Sequence, residues 1–191
     1  MGVRMEGRRV RLEPLRPRHI DPVHELACSG EWPLGGADLP LERFVPFISS
    51  AWSRAFAAIR VDTDEFIGVI IGVDEDLRNG TIAVGFALKP EVWGAVWPVE
   101  TVVLYLRYLF EGCNFRKVYL ELTESAHERW GGRIDRWASL EARSRQHVRI
   151  GDRYEDVLCF GLHREQWAPP LADRIIGPAS ARPRNAGYLA G

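Results

Sequence analysis

One short segment, residues 93–99 (WGAVWPV), has residue types that could bind an anion. It precedes an apolar stretch that predicts a helix, and the first turn of a helix offers unpaired N–H groups at the positive end of the helix dipole. Gly94 would let the backbone approach a phosphate closely. Val96 and Pro98 act against such a site, because a β-branched residue resists positive φ and proline has no N–H.

The residue types that bind metals are present but badly spaced for that purpose. His19 and His24 are five residues apart, which does not place both rings on one helix face, and no carboxylate–histidine grouping has ligand spacing. The three cysteines, Cys28, Cys113 and Cys159, are far apart and form no CxxC pair. The sequence therefore predicts neither a metal site nor a disulfide framework.

The composition excludes several classes of protein. The 191 residues are 46% hydrophobic and 27% charged, with a net charge of −1, so no overall field favours nucleic acid or an anionic membrane. The longest apolar run, residues 66–73, is too short to span a bilayer, and the first 15 residues lack the apolar core of a signal peptide. A cytoplasmic location is expected. Only two of the 25 basic residues are lysines, which coding bias alone would explain.

Hydrophobic periodicity predicts how these segments are positioned. Strands are predicted over 8–15, 55–61, 66–73, 81–88, 117–122, 140–149 and 154–163, and helices from 17 and over 42–53, 98–111 and 124–137. The last of these helices is interrupted at Gly131-Gly132. Because the middle strands run in hairpins, this order favours an α+β fold with a mixed, mainly antiparallel sheet and helices on both faces. Residues 1–168 form one predicted domain. The Pro-, Gly- and Arg-rich residues 169–191 are expected to be a flexible tail or to dock on a partner.

Three segments resemble GNAT-superfamily N-acetyltransferases, and most closely their RimJ/RimL-like branch. They are GRRVRLEPLRPRHIDPVHEL (7–26), PEVWGAVWPVETVVLYLRYLFEGCNFRKVYLEL (90–122) and RSRQHVRIGDRYEDVLCFGLHREQW (143–167). The resemblance implies the acyl-CoA N-acyltransferase fold and transfer of an acetyl or other acyl group from acyl-CoA to a primary amine by direct attack. It also implies acetyl-CoA as co-substrate, a small amine or a peptide or protein N-terminus as acceptor, and a possible homodimer.

The resemblance also assigns roles to individual residues. The backbone around Ala87 and Leu88 would polarise the thioester carbonyl, and Trp32 would line the acceptor side. The general base would be Glu91 or an acid of the Asp74–Asp76 turn, and the acid for the leaving thiolate would be Ser125 or His127. The pyrophosphate of acetyl-CoA would be wrapped by Trp93, Gly94, Ala95, Val96, Trp97, Pro98 and Val99.

The chain departs from the family pattern in the same half of the expected site. Val96 stands where a second glycine is expected, and Pro98 where a small residue is expected. No asparagine lies between residues 123 and 137, and the Gly-Phe pair after the next helix is replaced by Trp137-Ala138. These departures leave a second hypothesis open. In this second hypothesis, the protein has the GNAT fold and a degenerate pyrophosphate loop but has lost acetyl transfer. It instead binds another ligand or a partner, or catalyses another reaction.

Overall fold

The computed structural model describes residues 4–29, 32, 34, 38–167 and 169–176. Within these residues eight strands form one sheet: β1 Met5–Glu6, β2 Val10–Pro14, β3 Ser53–Arg60, β4 Phe66–Asp76, β5 Thr81–Leu88, β6 Lys117–Thr123, β7 Ser139–Ile150 and β8 Arg153–His163. Their order across the sheet is β1-β2-β3-β4-β5-β6-β8-β7. The helices are α1 Ile20–Ala27, α2 Leu41–Ala51, α3 Trp97–Arg107, α4 Glu124–Trp130 and α5 Pro169–Ile176.

The sheet is mixed and mainly antiparallel, as the order of elements predicts. Its one parallel pair is β5 and β6, which join only from Thr81–Val84 to Lys117–Leu120. Beyond Val84, β5 stays paired with β4 but not with β6, while β6 continues alongside β8 as far as Thr123. The two central strands therefore separate at one end and leave a gap in the sheet.

Alternation along β4 assigns the helices to the two faces of the sheet. Ile70 packs in a large core with α3, whereas its neighbours Val69 and Ile71 pack in a second core with residues of α1 and α2. Successive strand residues point to opposite faces, so these two cores lie on opposite sides of the sheet. The prediction of helices on both faces is confirmed.

Two predicted boundaries need correction, and one predicted helix changes type near its end. α4 ends at Trp130 rather than at 137, because Gly131 adopts a left-handed backbone with φ 58° and stops the helix. α3 is followed by a wider helical turn, Tyr108–Gly112. The predicted flexible tail is wrong for its first eight residues, which form α5 with Ala172 and Ile176 buried against the core. Residues 177–191 lie outside the described residues.

Candidate active site

The loop before α3 has a backbone that suits its sequence. Gly94 has φ +85°, a conformation that favours glycine. Val96 is the N-cap of α3 and has a right-handed backbone, with φ −83° and ψ −18°. The expected conflict between a β-branched residue and positive φ does not arise, because the chain requires positive φ only at Gly94. Pro98 is the second residue of the helix, where its missing N–H costs no helical hydrogen bond.

Several N–H groups of this loop remain available. The N–H of Ala95 donates to the carbonyl of Val92 at 3.4 Å, and that of Glu100 to Val96 at 3.0 Å. Among the described residues, the N–H groups of Val96, Trp97 and Val99 have no protein acceptor. Unpaired donors at the start of a helix, together with the helix dipole, stabilise an anion.

Beside this loop lies an open cleft of about 530 Å³ that is rich in arginine. Nine arginines elsewhere in the described chain have an acidic partner. In contrast, none of the five at the cleft has a carboxylate within 4 Å among the described residues. Their charges are therefore free to meet an anionic ligand. The cleft is lined by Arg8, Arg9, Gly94, Ala95, Val96, Val99, Arg133, Arg136, Trp137, Arg174 and Ile175.

A buried carboxylate fixes one wall of the cleft. Glu100, in the first turn of α3, is fully buried, and its Oε1 accepts from the N–H groups of Arg9 at 2.7 Å and Val10 at 3.2 Å. A Cβ at Gly7 would lie 2.4 Å from the same oxygen, so the chain needs glycine there for this close approach. Glu100 thus ties the start of β2 to the start of α3 and places Arg8 and Arg9 beside the loop.

A second, smaller pocket of about 40 Å³ lies where β5 and β6 separate. It is lined by Phe86, Leu88, Trp93, Glu121, Leu122, Thr123, Ser125, Ala126, Arg129 and Ile150. Trp93 belongs to this pocket and Gly94 to the cleft, so the two sites adjoin at one loop.

Strand register decides which of the two expected amides points into this gap. The N–H of Lys89 donates to Ile67 at 2.9 Å, and Ala87 pairs with Val69 two residues further along the ladder. Hydrogen-bonded and non-hydrogen-bonded pairs alternate in an antiparallel ladder. The N–H of Ala87 is therefore used against β4, whereas that of Leu88 points toward the gap beside β6. Of the two residues, Leu88 is the one that offers a donor.

Glu121 is the acidic residue that lines the pocket, and sequence reasoning missed it. Desolvation of the carboxylate by the surrounding protein raises the pKa of Glu121, and the negative charge of Asp74 raises it further. The effect of His147 is smaller and opposite. A carboxylate with a raised pKa is a better proton acceptor near neutral pH. Asp74, from the predicted acidic turn, therefore acts on this position through its charge.

Ser125 also lines the pocket and is held by a neighbouring carboxylate. Its hydroxyl donates to Glu155 at 2.6 Å, and its N–H contacts the same oxygen at 3.3 Å. Burial would raise the pKa of Glu155, but these hydrogen bonds and the charge of Arg153 keep it below its usual value. The side chain that caps α4 is Thr123, which accepts from the N–H of Ala126. Ser125 is therefore not the residue that caps α4.

The other residues with predicted roles lie elsewhere. Glu91 is exposed in the turn Pro90–Val92 and lines neither site. His127 lies 3.1 Å from Asp135 and stacks on Phe160. Trp32 is 4% exposed and packs in the second core, with its ring 5.8 Å from that of Trp52.

Two residues of the predicted phosphate loop face away from the open cleft. Pro98 is buried, and the guanidinium of Arg60 lies 4.6 Å from the centre of the Trp97 ring. The cleft itself is lined by Gly94, Ala95, Val96 and Val99. The described residues contain no group of three or more His, Cys, Asp or Glu side chains that could hold a metal ion. No helix in the described part of the chain is long and apolar enough to cross a membrane.

Sequence reasoning missed the arginines of the cleft and the place of Trp137. These residues come from three separate parts of the chain, at 8–9, 133–137 and 174, so no local spacing connects them. The ring of Trp137 packs 5.7 Å from that of Trp130, and Trp137 also lines the cleft. The bias toward arginine was visible, but it gave no indication of where those side chains meet.

Comparison with known proteins finds solved structures with the same fold. A GCN5-related N-acetyltransferase from Brucella melitensis has a TM-score of 0.69 at 22% identity, covering 91% of this chain and 83% of its own. A GNAT-family acetyltransferase from Bacillus anthracis has a TM-score of 0.68 at 13% identity, covering 85% and 99%. A spermidine N-acetyltransferase from Vibrio cholerae in complex with CoA and spermine has a TM-score of 0.70 at 16% identity, covering 82% and 96%.

These structural similarities establish the fold, and a sequence profile establishes the family. No curated protein matches the chain significantly. The profile of the acetyltransferase (GNAT) domain matches residues 9–130, which is more than half of the chain. The protein therefore belongs to the GNAT acetyltransferases, enzymes that transfer an acetyl group from acetyl-CoA to an amine.

Proposed function

We propose that this protein transfers the acetyl group of acetyl-CoA to the primary amine of a small metabolite or of a peptide N-terminus, by direct attack. The observation that carries the proposal is the junction of the two sites at Trp93 and Gly94. On one side lies a cationic cleft at a helix N-terminus, and on the other a pocket in the gap of the sheet. Such a pair suits a ligand with phosphates at one end and a reactive thioester at the other.

The cleft fits the phosphate end of the co-substrate. Its free N–H groups lie at the start of α3, and its five arginines have no acidic partner among the described residues. Arginine forms charge-assisted, often bidentate hydrogen bonds with phosphate oxygens. Pro98 removes one donor, but pyrophosphate binding by a loop is mainly a matter of the remaining backbone groups.

The pocket supplies groups for the chemistry. The carboxylate of Glu121 would take a proton from the acceptor ammonium, directly or through water, so that the amine nitrogen bonds to the acetyl carbon. The N–H of Leu88 would stabilise the negative charge that forms on the carbonyl oxygen when the amine adds, before the carbonyl re-forms and the carbon–sulfur bond breaks. The thiolate then needs a proton, and the attacking nitrogen must lose its second one, so the group that protonates the thiolate recovers its proton from that nitrogen directly or through water. Ser125 is our candidate donor, and its hydroxyl would have to turn away from Glu155 to serve.

Trp32 is the residue predicted for the side of the site that holds the acceptor amine. Trp32 is buried, so we propose that it supports the wall on that side instead of touching the acceptor. The RimJ/RimL-like branch, an acyl group other than acetyl, a homodimer and a cytoplasmic location remain proposals based on resemblance and composition.

The second hypothesis, a GNAT-fold protein that has lost acetyl transfer, rests on Pro98 and the missing asparagine between 123 and 137. It no longer draws support from Val96, because that residue lies in an ordinary right-handed conformation. The two hypotheses differ in whether acetyl-CoA binds and is consumed.

Thermal unfolding with and without acetyl-CoA tests the proposal first. A ligand that binds the native state at about 100 times its Kd adds about 2.7 kcal/mol of stability, so the melting temperature should rise by several degrees. Release of free CoA thiol is then measured with a panel of polyamines, amino-acid amides and peptides with free N-termini. Absence of any stabilisation by acetyl-CoA would overturn the proposal and favour the second hypothesis.

A further inference from the structure

One wall of the cleft comes from outside the part of the chain that matches the family profile. The profile ends at residue 130, whereas α5 contributes Arg174 and Ile175 to the cleft. α5 is anchored from two directions. Asp173 pairs with Arg107 of α3 at 2.5 Å, and Ala172 and Ile176 are buried in the core. Arg174 is therefore held in place by a docked helix.

The cleft has two distinguishable ends. Arg133 shares a small neighbouring hollow with Gly94 and Ala95, which places it at the loop end. Trp137 and Ile175 share a different hollow with residues of α3 and β8, which places them at the α5 end. Arg174 lines the cleft from α5 and is absent from the hollow at the loop end, so we place it at the α5 end.

The chemistry of the co-substrate calls for two such ends. CoA carries a pyrophosphate, whose two groups each have one charge, and a separate 3′-phosphate monoester with about −1.5 to −2 charges at neutral pH. The free N–H groups at the start of α3 suit the pyrophosphate. A half-buried indole that lines the cleft offers the adenine a surface for stacking, and an arginine at the same end offers the nearby phosphate a cation. The α5 end has both, in Trp137 and Arg174.

We propose that Arg174, assisted by Arg136, binds the 3′-phosphate of CoA, so that α5 makes the enzyme selective for CoA over 3′-dephospho-CoA. This inference rests on the proposed function, since it assumes that the cleft holds the phosphates of acetyl-CoA. It goes beyond that function because it assigns a specificity determinant to a helix outside the matched domain.

Calorimetric titration tests the inference with four proteins and two ligands. The wild type and the variants Arg174→Ala, Arg136→Ala and Arg78→Ala are each titrated with acetyl-CoA and with its 3′-dephospho analogue. Arg78 is the matched control, because it is an exposed arginine in the turn between β4 and β5, at the far end of β5 from the loop. Arg174→Ala should weaken acetyl-CoA binding about tenfold, as expected for loss of one charge-assisted contact, and should change binding of the analogue less than twofold.

The comparison of the two ligands separates recognition from structural damage. An equal loss for both ligands, or no loss for either, would overturn the assignment of Arg174. If the wild type binds neither ligand, the proposed function itself fails. 3′,5′-ADP and 5′-ADP provide a second measurement that needs no thioester. The wild type should prefer 3′,5′-ADP, and Arg174→Ala should lose that preference while its melting temperature stays within about 1 °C of the wild type.

Discussion

At the scale of single residues, the acid–base group is decided by surroundings and not by residue type. Glu91 and Glu121 are both glutamates near the ends of neighbouring strands, but of the two only Glu121 lines the pocket. There its surroundings raise the pKa of its carboxyl group. Asp74 contributes to that shift, so an acid from the predicted turn takes part indirectly. Glu91 lies exposed in its turn and lines neither site.

Replacing Glu121 should remove the basic group of the reaction. Glu121→Gln should lower kcat by about 10²–10⁴, the usual contribution of a positioned base, while acetyl-CoA binding is kept. In the wild type, activity should rise with pH as Glu121 ionises, and Asp74→Asn should move this rise to lower pH because it removes the repelling charge. Rate profiles over pH measure both effects. Glu91→Gln is the comparison. If Glu91→Gln, and not Glu121→Gln, loses the rise of activity with pH, then Glu91 is the general base.

The raised pKa of Glu121 also makes the free energy of unfolding depend on pH. Because the folded protein raises the pKa of Glu121 above its unfolded value, the folded state binds more protons between those two values. The contribution of Glu121 to the free energy of unfolding is therefore present at lower pH. It is lost as the pH rises through the pKa that Glu121 has in the folded state. Glu121→Gln should remove that loss. Urea unfolding of the two proteins across this pH window measures the difference, and an identical pH dependence would contradict the assigned direction.

At the scale of elements, the cleft depends on polar contacts between helices and strands that are distant in the chain. Glu100 joins the start of α3 to the start of β2, and Asp173 joins α5 to α3. Each tie holds one or more arginines at the cleft. Loosening a tie should therefore affect both stability and the affinity for acetyl-CoA.

Ile176 is the clearest residue with which to test the docking of α5. Its side chain is 4% exposed, so Ile176→Ala should lower the free energy of unfolding by about 2–4 kcal/mol through lost burial and the cavity that remains. Acetyl-CoA affinity should also fall, because Arg174 would be less well placed. Leu77→Ala is the control, since Leu77 is 73% exposed, and it should change neither quantity appreciably. Urea unfolding and calorimetry provide the measurements. A destabilised Ile176→Ala with unchanged affinity would show that α5 is not part of the ligand site.

At the scale of the whole molecule, a near-neutral protein carries a strongly cationic cleft. The net charge of −1 excludes a general attraction to polyanions, but it does not describe the five arginines that meet at the cleft. These side chains are largely exposed, so their attraction for phosphate is open to screening by salt.

Acetyl-CoA affinity should accordingly fall as salt rises from about 0.05 to 0.5 M, since the screening length shortens several-fold over this range. The stability of the protein without ligand should change much less. Kd measured by titration at a series of NaCl concentrations gives the slope, and Arg174→Ala should have a shallower slope than Arg78→Ala. A Kd independent of salt would contradict a phosphate-binding role for these arginines.

The sequence by itself determined most of the strands and helices, the class of fold and the existence of a glycine-containing loop before α3. These follow from patterns within about a dozen residues: alternation in the strands, helical spacing of apolar residues, and Gly94 placed before a helix. The boundary at Trp130 was missed because an adjacent Gly-Gly pair was taken as an interruption of a helix and not as its end.

Only the tertiary structure decided which residues meet. The parallel pairing of β5 and β6 stops at Val84, and that separation brings Glu121, Ser125 and Leu88 to one pocket. Register against β4, and not residue type, selects the N–H of Leu88 over that of Ala87. The arginines of the cleft come from segments up to 166 positions apart, from Arg8 to Arg174, brought together by packing of α3, α5 and the edge of the sheet. Local patterns cannot encode such convergence, because it arises from contacts between elements that are distant in the chain.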